Sequence, residues 1–151
     1  LSHHVKSLGY EFRFVELAQE ISSRMPDYVV ERLGRSFAAR GASLAGARVL
    51  LLGVTYKADI ADDRETPARD VVRALRAAGA NVTAHDPLVH DFSVDGTPVS
   101  MAADLDTALA SCDVAVLLQA HRAYDLDRLA SIAPFVFDTR GKLRGPNVER
   151  L

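Results

Sequence analysis

The chain reads as an α/β protein, a Rossmann-like doubly wound parallel sheet preceded by a long helix. Three observations predict this. Short apolar runs at Arg48–Gly53, Asp113–Leu118 and Phe135–Asp138 have the form of strands buried on both faces. Segments of helical periodicity alternate with them, which calls for parallel strands joined by right-handed crossovers. A single helical pattern of 27 residues precedes them all.

That first pattern runs from Arg13 to Ala39. Phe14, Leu17, Ala18, Ile21, Met25, Val29, Leu33 and Phe37 recur every three or four residues, along one helix face. At about 1.5 Å per residue the rod is roughly 40 Å long, more than a small α/β core covers. Part of its apolar face is therefore expected to meet another domain or subunit, and Pro26 to kink it. Upstream, Leu1, Val5 and Leu8 before Gly9 resemble the tail of another helix.

The remaining elements follow in order. Arg48–Gly53 is the first strand, and Pro67 to Ala78 is a helix with proline in its first turn and Val71, Val72 and Leu75 on one face. Asn81–His85 is a second strand, closed by Asp86-Pro87. A polar excursion through Gly96 and Pro98 leads to a short helix, Leu105–Ser111. The Asp113–Leu118 strand, a helix at Leu126–Ile132, the Phe135–Asp138 strand and a polar tail complete the chain.

Composition narrows the function. The chain has 151 residues, 48% hydrophobic and 25% charged, which suits one domain with an appendage. A net charge of −2 gives no pull toward nucleic acid or an anionic membrane. No apolar run reaches the roughly 20 residues of a membrane span. The single cysteine, Cys112, excludes an internal disulfide and fits a cytoplasmic protein. The five histidines show no metal-ligand spacing. The first residue is Leu1, so a piece of a longer protein is expected.

Doubly wound sheets bind ligands outside the carboxyl ends of their strands. The densest set of polar side chains there is the loop Gly53 to Pro67. It lacks the Gly-x-Gly-x-x-Gly that closes on a dinucleotide pyrophosphate, since only Gly53 is present. Tyr56, Lys57 and Arg64 stand in its place, among Asp59, Asp62 and Asp63. Lysine and arginine suit a phosphate, and the following helix N-terminus adds N–H donors. The competing reading is a solvated loop whose charges pair among themselves. Asp86 reads better as a turn opener than as a ribose ligand. His121, at a strand's carboxyl end, is a candidate for the border of the site.

Gly53-Val-Thr-Tyr-Lys57 followed by Asp62-Asp-Arg-Glu-Thr-Pro67 resembles the carboxyl-terminal domain of the UDP-glucose/GDP-mannose dehydrogenase family. The likeness continues through Gly79–Pro87, His121 and Phe137-Asp-Thr-Arg140. Ala18–Pro26 resembles the central helix that joins two subunits in these enzymes. Thr66 departs from the usual serine, and Ser22 from a frequent asparagine.

The resemblance implies residues 1–45 as the end of a central helical dimerisation region and 46–151 as the nucleotide-sugar-binding domain. It implies an NAD-dependent dehydrogenase that oxidises the C6 alcohol of a UDP-sugar to a carboxylate. The reaction passes through a thiohemiacetal and a thioester on a cysteine upstream of this chain. Tyr56, Lys57 and Arg140 are implied as substrate contacts, with Lys142 as an alternative to Arg140. Arg64 is implied to reach NAD held mainly by an amino-terminal domain. The implied partners are that domain, the UDP-sugar and a second copy through the long helix. Cys112, ahead of a buried strand, is expected to be a core thiol, so the chain alone is expected to be inactive. Two other readings stand beside this one, a non-catalytic nucleotide-binding regulatory domain and a pure dimerisation module.

Overall fold

The computed structural model describes residues 13–151; the helix tail read at Leu1–Leu8 lies outside them. Helix α1 spans Arg13–Ala39 with Pro26 inside it. Strand β1 (Arg48–Leu52) leads to α2 (Ala68–Ala77) and β2 (Asn81–His85). The short strands β3 (Ser93–Val94), β4 (Thr97–Pro98) and β5 (Ser100–Met101) follow. Then come α3 (Leu105–Ser111), β6 (Val114–Leu117), α4 (Leu126–Ile132), β7 (Val136–Asp138) and β8 (Val148–Arg150).

Six strands form one sheet in the order β5-β2-β1-β6-β7-β8. Every pair in it is parallel. The chain winds from β1 outward through β2, then returns to β6 on the other side of β1. The order therefore reverses between β1 and β6, where such a sheet opens a crevice at its carboxyl edge.

The two-residue period of the strands sorts the core into two layers. Val49, Leu51, Val114, Val116 and Phe137 pack on one face with α2 and the second half of α1. Leu50, Leu52, Ala115, Leu117 and Val136 pack on the other with Leu109 of α3 and Leu129 of α4. Asp104 and Asp125 cap α3 and α4, accepting the backbone N–H of Thr107 and Arg128.

Helix α1 divides at its middle. Val29, Val30, Leu33 and Phe37 are buried in the core. Phe14, Leu17 and Ile21 are 82%, 53% and 56% exposed, so the apolar face outruns the domain as its length requires. The carboxyl end of α1 is tied to edge strand β8, where Glu149 accepts from Ser36 Oγ and from Arg40.

Two stretches differ from the sequence reading. The polar excursion holds a β3–β4 hairpin whose turn, Asp95-Gly96, has φ of +51° and +75°. That pair is the standard signal for a two-residue hairpin. It is followed by edge strand β5. The polar tail likewise contributes β8, paired with β7 by backbone bonds and tied to the intervening loop by Arg150, whose guanidinium donates to the carbonyl of Leu143. Both edge strands are too short to show an alternation of their own.

Candidate functional site

Gly53 begins the site. It follows β1 with φ of +79°, and a β-carbon there would lie 2.6 Å from both Cβ and the carbonyl oxygen of Gln119. Only glycine lets the end of β1 pass so close to the end of β6. Gln119 then donates from Nε2 to the carbonyl of Tyr56 at 2.8 Å. The two loops that diverge at the sheet's switch point are thus joined.

A buried polar cluster lies beneath that junction. The Asp86 carboxylate is 2% exposed. It accepts Val54 N–H at 2.7 Å and Leu88 N–H at 2.8 Å. His121 Nε2 is 3.1 Å from Asp86 Oδ2 and 3.1 Å from Thr55 Oγ1. His121 Nδ1 accepts Asp59 N–H at 2.9 Å. Among the described residues no buried side-chain nitrogen or oxygen lacks a partner. Asp86 does open a turn, through Leu88, but it also faces inward and fixes the start of the β1–α2 loop.

Three acids of that loop, Asp59, Asp62 and Asp63, are each matched to an arginine. Asp59, at φ of +62°, accepts both the backbone N–H and the guanidinium of Arg122 at 2.8 Å. Asp63 accepts from Arg69. Asp62 holds Arg64 in a two-pronged contact of 2.9 and 3.0 Å. Only this last pair lies within the loop; the others bind the loop to its neighbours. Lys57 has no carboxylate partner among the described residues, and its Nζ lies 6.0 Å from the centre of the Tyr56 ring.

A cleft of 560 Å³ opens above this framework at the carboxyl ends of β1, β6 and β7. Tyr56 and Lys57 line it from the β1–α2 loop, and Thr66 and Pro67 from the start of α2. Thr139 and Arg140 line it beyond β7, and Met25 and Pro26 from α1. Asp138 sets the β7 turn: its buried carboxylate accepts Arg140 N–H and Leu143 N–H at 2.8 and 2.7 Å. The Arg140 side chain is left exposed at the rim without an ion pair among the described residues. Tyr56, Lys57 and Arg140 therefore share one cleft, whereas Lys142 is exposed and does not line it.

Arg64 stands apart from that cleft. It lines a second hollow with Tyr56, Lys57, Ile60, Asp62 and Glu65. Its side chain is 84% exposed and hydrogen-bonds to Asp62. Cys112 is buried and donates to the carbonyl of Leu109, and burial pushes its thiol up to about 11. No three His, Cys, Asp or Glu side chains gather as metal ligands among the described residues. None of the described helices is long and apolar enough to cross a membrane.

Sequence reasoning overlooked Gln119, Asp59 and Arg122 as builders of the site. Asp59 stood out only as one acid among several, and no spacing rule pairs positions 63 residues apart. The Arg64 hydrogen bonds lower the Asp62 carboxyl from 3.8 to about 2. A folded value below the unfolded one means the pair favours folding above pH 4 and that this is lost as pH falls through about 2. A carbon-detected NMR titration should place Asp62 near 2, and Arg64→Ala should return it toward 3.8.

Comparison with known proteins agrees with this architecture. The family model described as UDP-glucose/GDP-mannose dehydrogenase family, UDP binding domain, matches residues 50–145. The chain is 33% identical over 112 residues to UDP-N-acetyl-D-glucosamine 6-dehydrogenase of Pseudomonas aeruginosa, covering 69% of this chain and 26% of that protein. It is 35% identical over 127 residues to UDP-glucose 6-dehydrogenase of Rhizobium meliloti strain 1021, covering 78% and 29%. In fold it is similar to the crystal structure of NDP-N-acetyl-D-galactosaminuronic acid dehydrogenase from Methanosarcina mazei Go1. That match has a TM-score of 0.78 at 22% identity, over 94% of this chain and 32% of that one. The chain spans about a quarter to a third of the length of the curated relatives it matches. With the β1–α2 loop and strands β2 to β7 inside one family model that matches residues 50–145, the chain belongs to the UDP-glucose/GDP-mannose dehydrogenase family, of which it carries the UDP-binding domain.

Proposed function

We propose that this chain binds the nucleotide part of a UDP-sugar in the cleft above β1, β6 and β7, as part of an NAD-dependent dehydrogenase acting at the sugar's C6 alcohol. One observation carries the reading. Asp59, Asp62 and Asp63 of the β1–α2 loop are each matched to an arginine, and among the described residues Lys57 and Arg140, on one cleft, have no carboxylate partner. Lys57 suits a phosphate as a compact charge, and Arg140 suits one as a planar fork. Tyr56, 53% exposed beside them, offers a face to the base or sugar. The start of α2 adds the positive end of its dipole. A volume of 560 Å³ is within the range of small-ligand sites.

The chain's residues do not fit a dinucleotide pyrophosphate at the β1–α2 turn. Gly53 is its only glycine, and Gln119 fills the space beside it. In this proposal NAD is held by a separate amino-terminal domain, and Arg64 reaches toward it. Residues 1–45 end a central helical region and 46–151 form the nucleotide-sugar-binding domain. The second half of α1 packs on that domain's sheet. The exposed stripe Phe14, Leu17 and Ile21 meets a second copy of the chain, since such a stripe is costly to leave in water. A regulatory nucleotide-binding domain would show the same cleft, so binding and turnover are tested separately.

Isothermal titration of the 151 residues with UDP should give saturable binding, and Lys57→Ala and Arg140→Ala should each weaken it about tenfold or more. Wild-type affinity in both variants sinks the cleft assignment. The chain by itself should produce no NADH from any UDP-sugar, because its one thiol is buried and hard to ionise; turnover by the purified chain would refute this. Sedimentation at several concentrations should reveal a dimer that Ile21→Asp dissociates, and a wild-type chain that stays monomeric contradicts the α1 contact.

A further inference from the structure

Behind the cleft, the His121 side chain is wholly buried, and its two nitrogens have different tasks. Nδ1 accepts the backbone N–H of Asp59 at 2.9 Å, so it holds a lone pair and the ring proton sits on Nε2. Nε2 lies 3.1 Å from Asp86 Oδ2 and from Thr55 Oγ1. An ionised Asp86 only accepts, and Thr55 directs its own proton to the Lys57 carbonyl at 2.9 Å. Nε2–H is therefore the donor toward both.

The positions of these contacts matter. Thr55 immediately precedes Tyr56-Lys57, and Asp59 follows one residue after Ala58. The ring thus grips the loop on both sides of Tyr56 and Lys57, which line the cleft. Asp59 is also held at φ of +62°, a conformation that non-glycine residues seldom adopt without support. Arg122, next to His121 in sequence, holds the Asp59 carboxylate by both its backbone N–H and its guanidinium. His121 in turn stands on Asp86, which is fixed by Val54 and Leu88. The whole support is built into the ends of β1, β2 and β6.

We propose that His121 is a positioning residue for the nucleotide cleft, acting as a neutral Nε2–H imidazole whose Nδ1 lone pair holds the loop that carries Tyr56 and Lys57. The proposal rests on the reading of that cleft as a UDP site, but the hold on the loop is measurable without ligand.

Two conservative variants separate the nitrogens. In His121→Asn the amide oxygen falls near the place of Nδ1 and retains an acceptor for Asp59 N–H. In His121→Gln the amide nitrogen falls near the place of Nε2 and retains a donor for Asp86, while Asp59 N–H loses its acceptor. UDP affinity of the 151-residue chain should fall about five- to tenfold in His121→Gln and recover to within about twofold in His121→Asn. Hydrogen exchange without ligand should quicken at the Asp59 amide in His121→Gln more than in His121→Asn. Wild-type affinity in His121→Gln, or equal losses in both variants, overturns the proposal. If the wild-type chain binds no UDP, the UDP reading fails, and the exchange comparison alone decides: faster exchange confined to His121→Gln upholds the hold on the loop, and equal exchange rejects it. Should either variant not fold, nitrogen NMR of the wild-type His121 ring decides instead. A proton on Nε2 supports the assignment, and a proton on Nδ1 overturns it.

Discussion

A buried carboxylate at the end of β2 sets the terms for everything above it. Asp86 is almost fully removed from water, and an ionised group so placed is tolerated only if donors surround it. Those donors come from three different places: the backbone just after β1, its own turn, and the imidazole beyond β6. Satisfying one side chain therefore obliges three loops to meet. Because the carboxylate accepts and does not donate, it also dictates which nitrogen of His121 carries the proton. The other nitrogen is freed to hold the β1–α2 loop. Electrostatics at the bottom of the crevice thus becomes geometry at its top.

The same crevice depends on a close approach that no side chain permits. Gly53 passes Gln119 at a distance a β-carbon would violate, and its left-handed backbone turns the chain up from the sheet. In a dinucleotide-binding fold that turn would close over a pyrophosphate. Here the room is taken by Gln119 and by the loop's hydrogen bond to it. The loop is braced to its neighbours by Asp59 with Arg122 and Asp63 with Arg69. Charge pairing that looks like solvated decoration in the sequence works as scaffolding, and among the described residues it leaves Lys57 and Arg140 at the cleft without a carboxylate partner.

The fold was legible in the sequence wherever burial imposes a period. Strands β1, β6 and β7 are apolar on both sides because helices cover both faces, and helices α1 to α4 carry their stripes plainly. The edge strands β5 and β8 were not legible, since two or three residues held by backbone bonds leave no pattern. The Asp95-Gly96 turn was readable in principle but sat in a polar stretch that hid its short partners. For the site, the family resemblance singled out Tyr56, Lys57 and Arg140 as expected substrate contacts, and these three side chains line one cleft. The brace was not visible, because Asp59 with Arg122 and Thr55 with His121 become neighbours only when β1 and β6 lie side by side.

Helix α1 ties this cleft to a second surface. Its buried half belongs to the core, and its carboxyl end is fastened to β8 through Glu149, while its first half projects with an apolar stripe exposed. Met25 stands at the junction: it lines the cleft, and it lies one turn beyond Ile21 on the same exposed face. Pro26, lacking a backbone N–H, sits buried beside it at the cleft wall. A cover over Phe14, Leu17 and Ile21 that extends a single turn farther reaches Met25 and so the rim of the cleft. The cleft therefore has one wall fixed by hydrogen bonds to the strands and another carried on a helix whose free half is open to a partner.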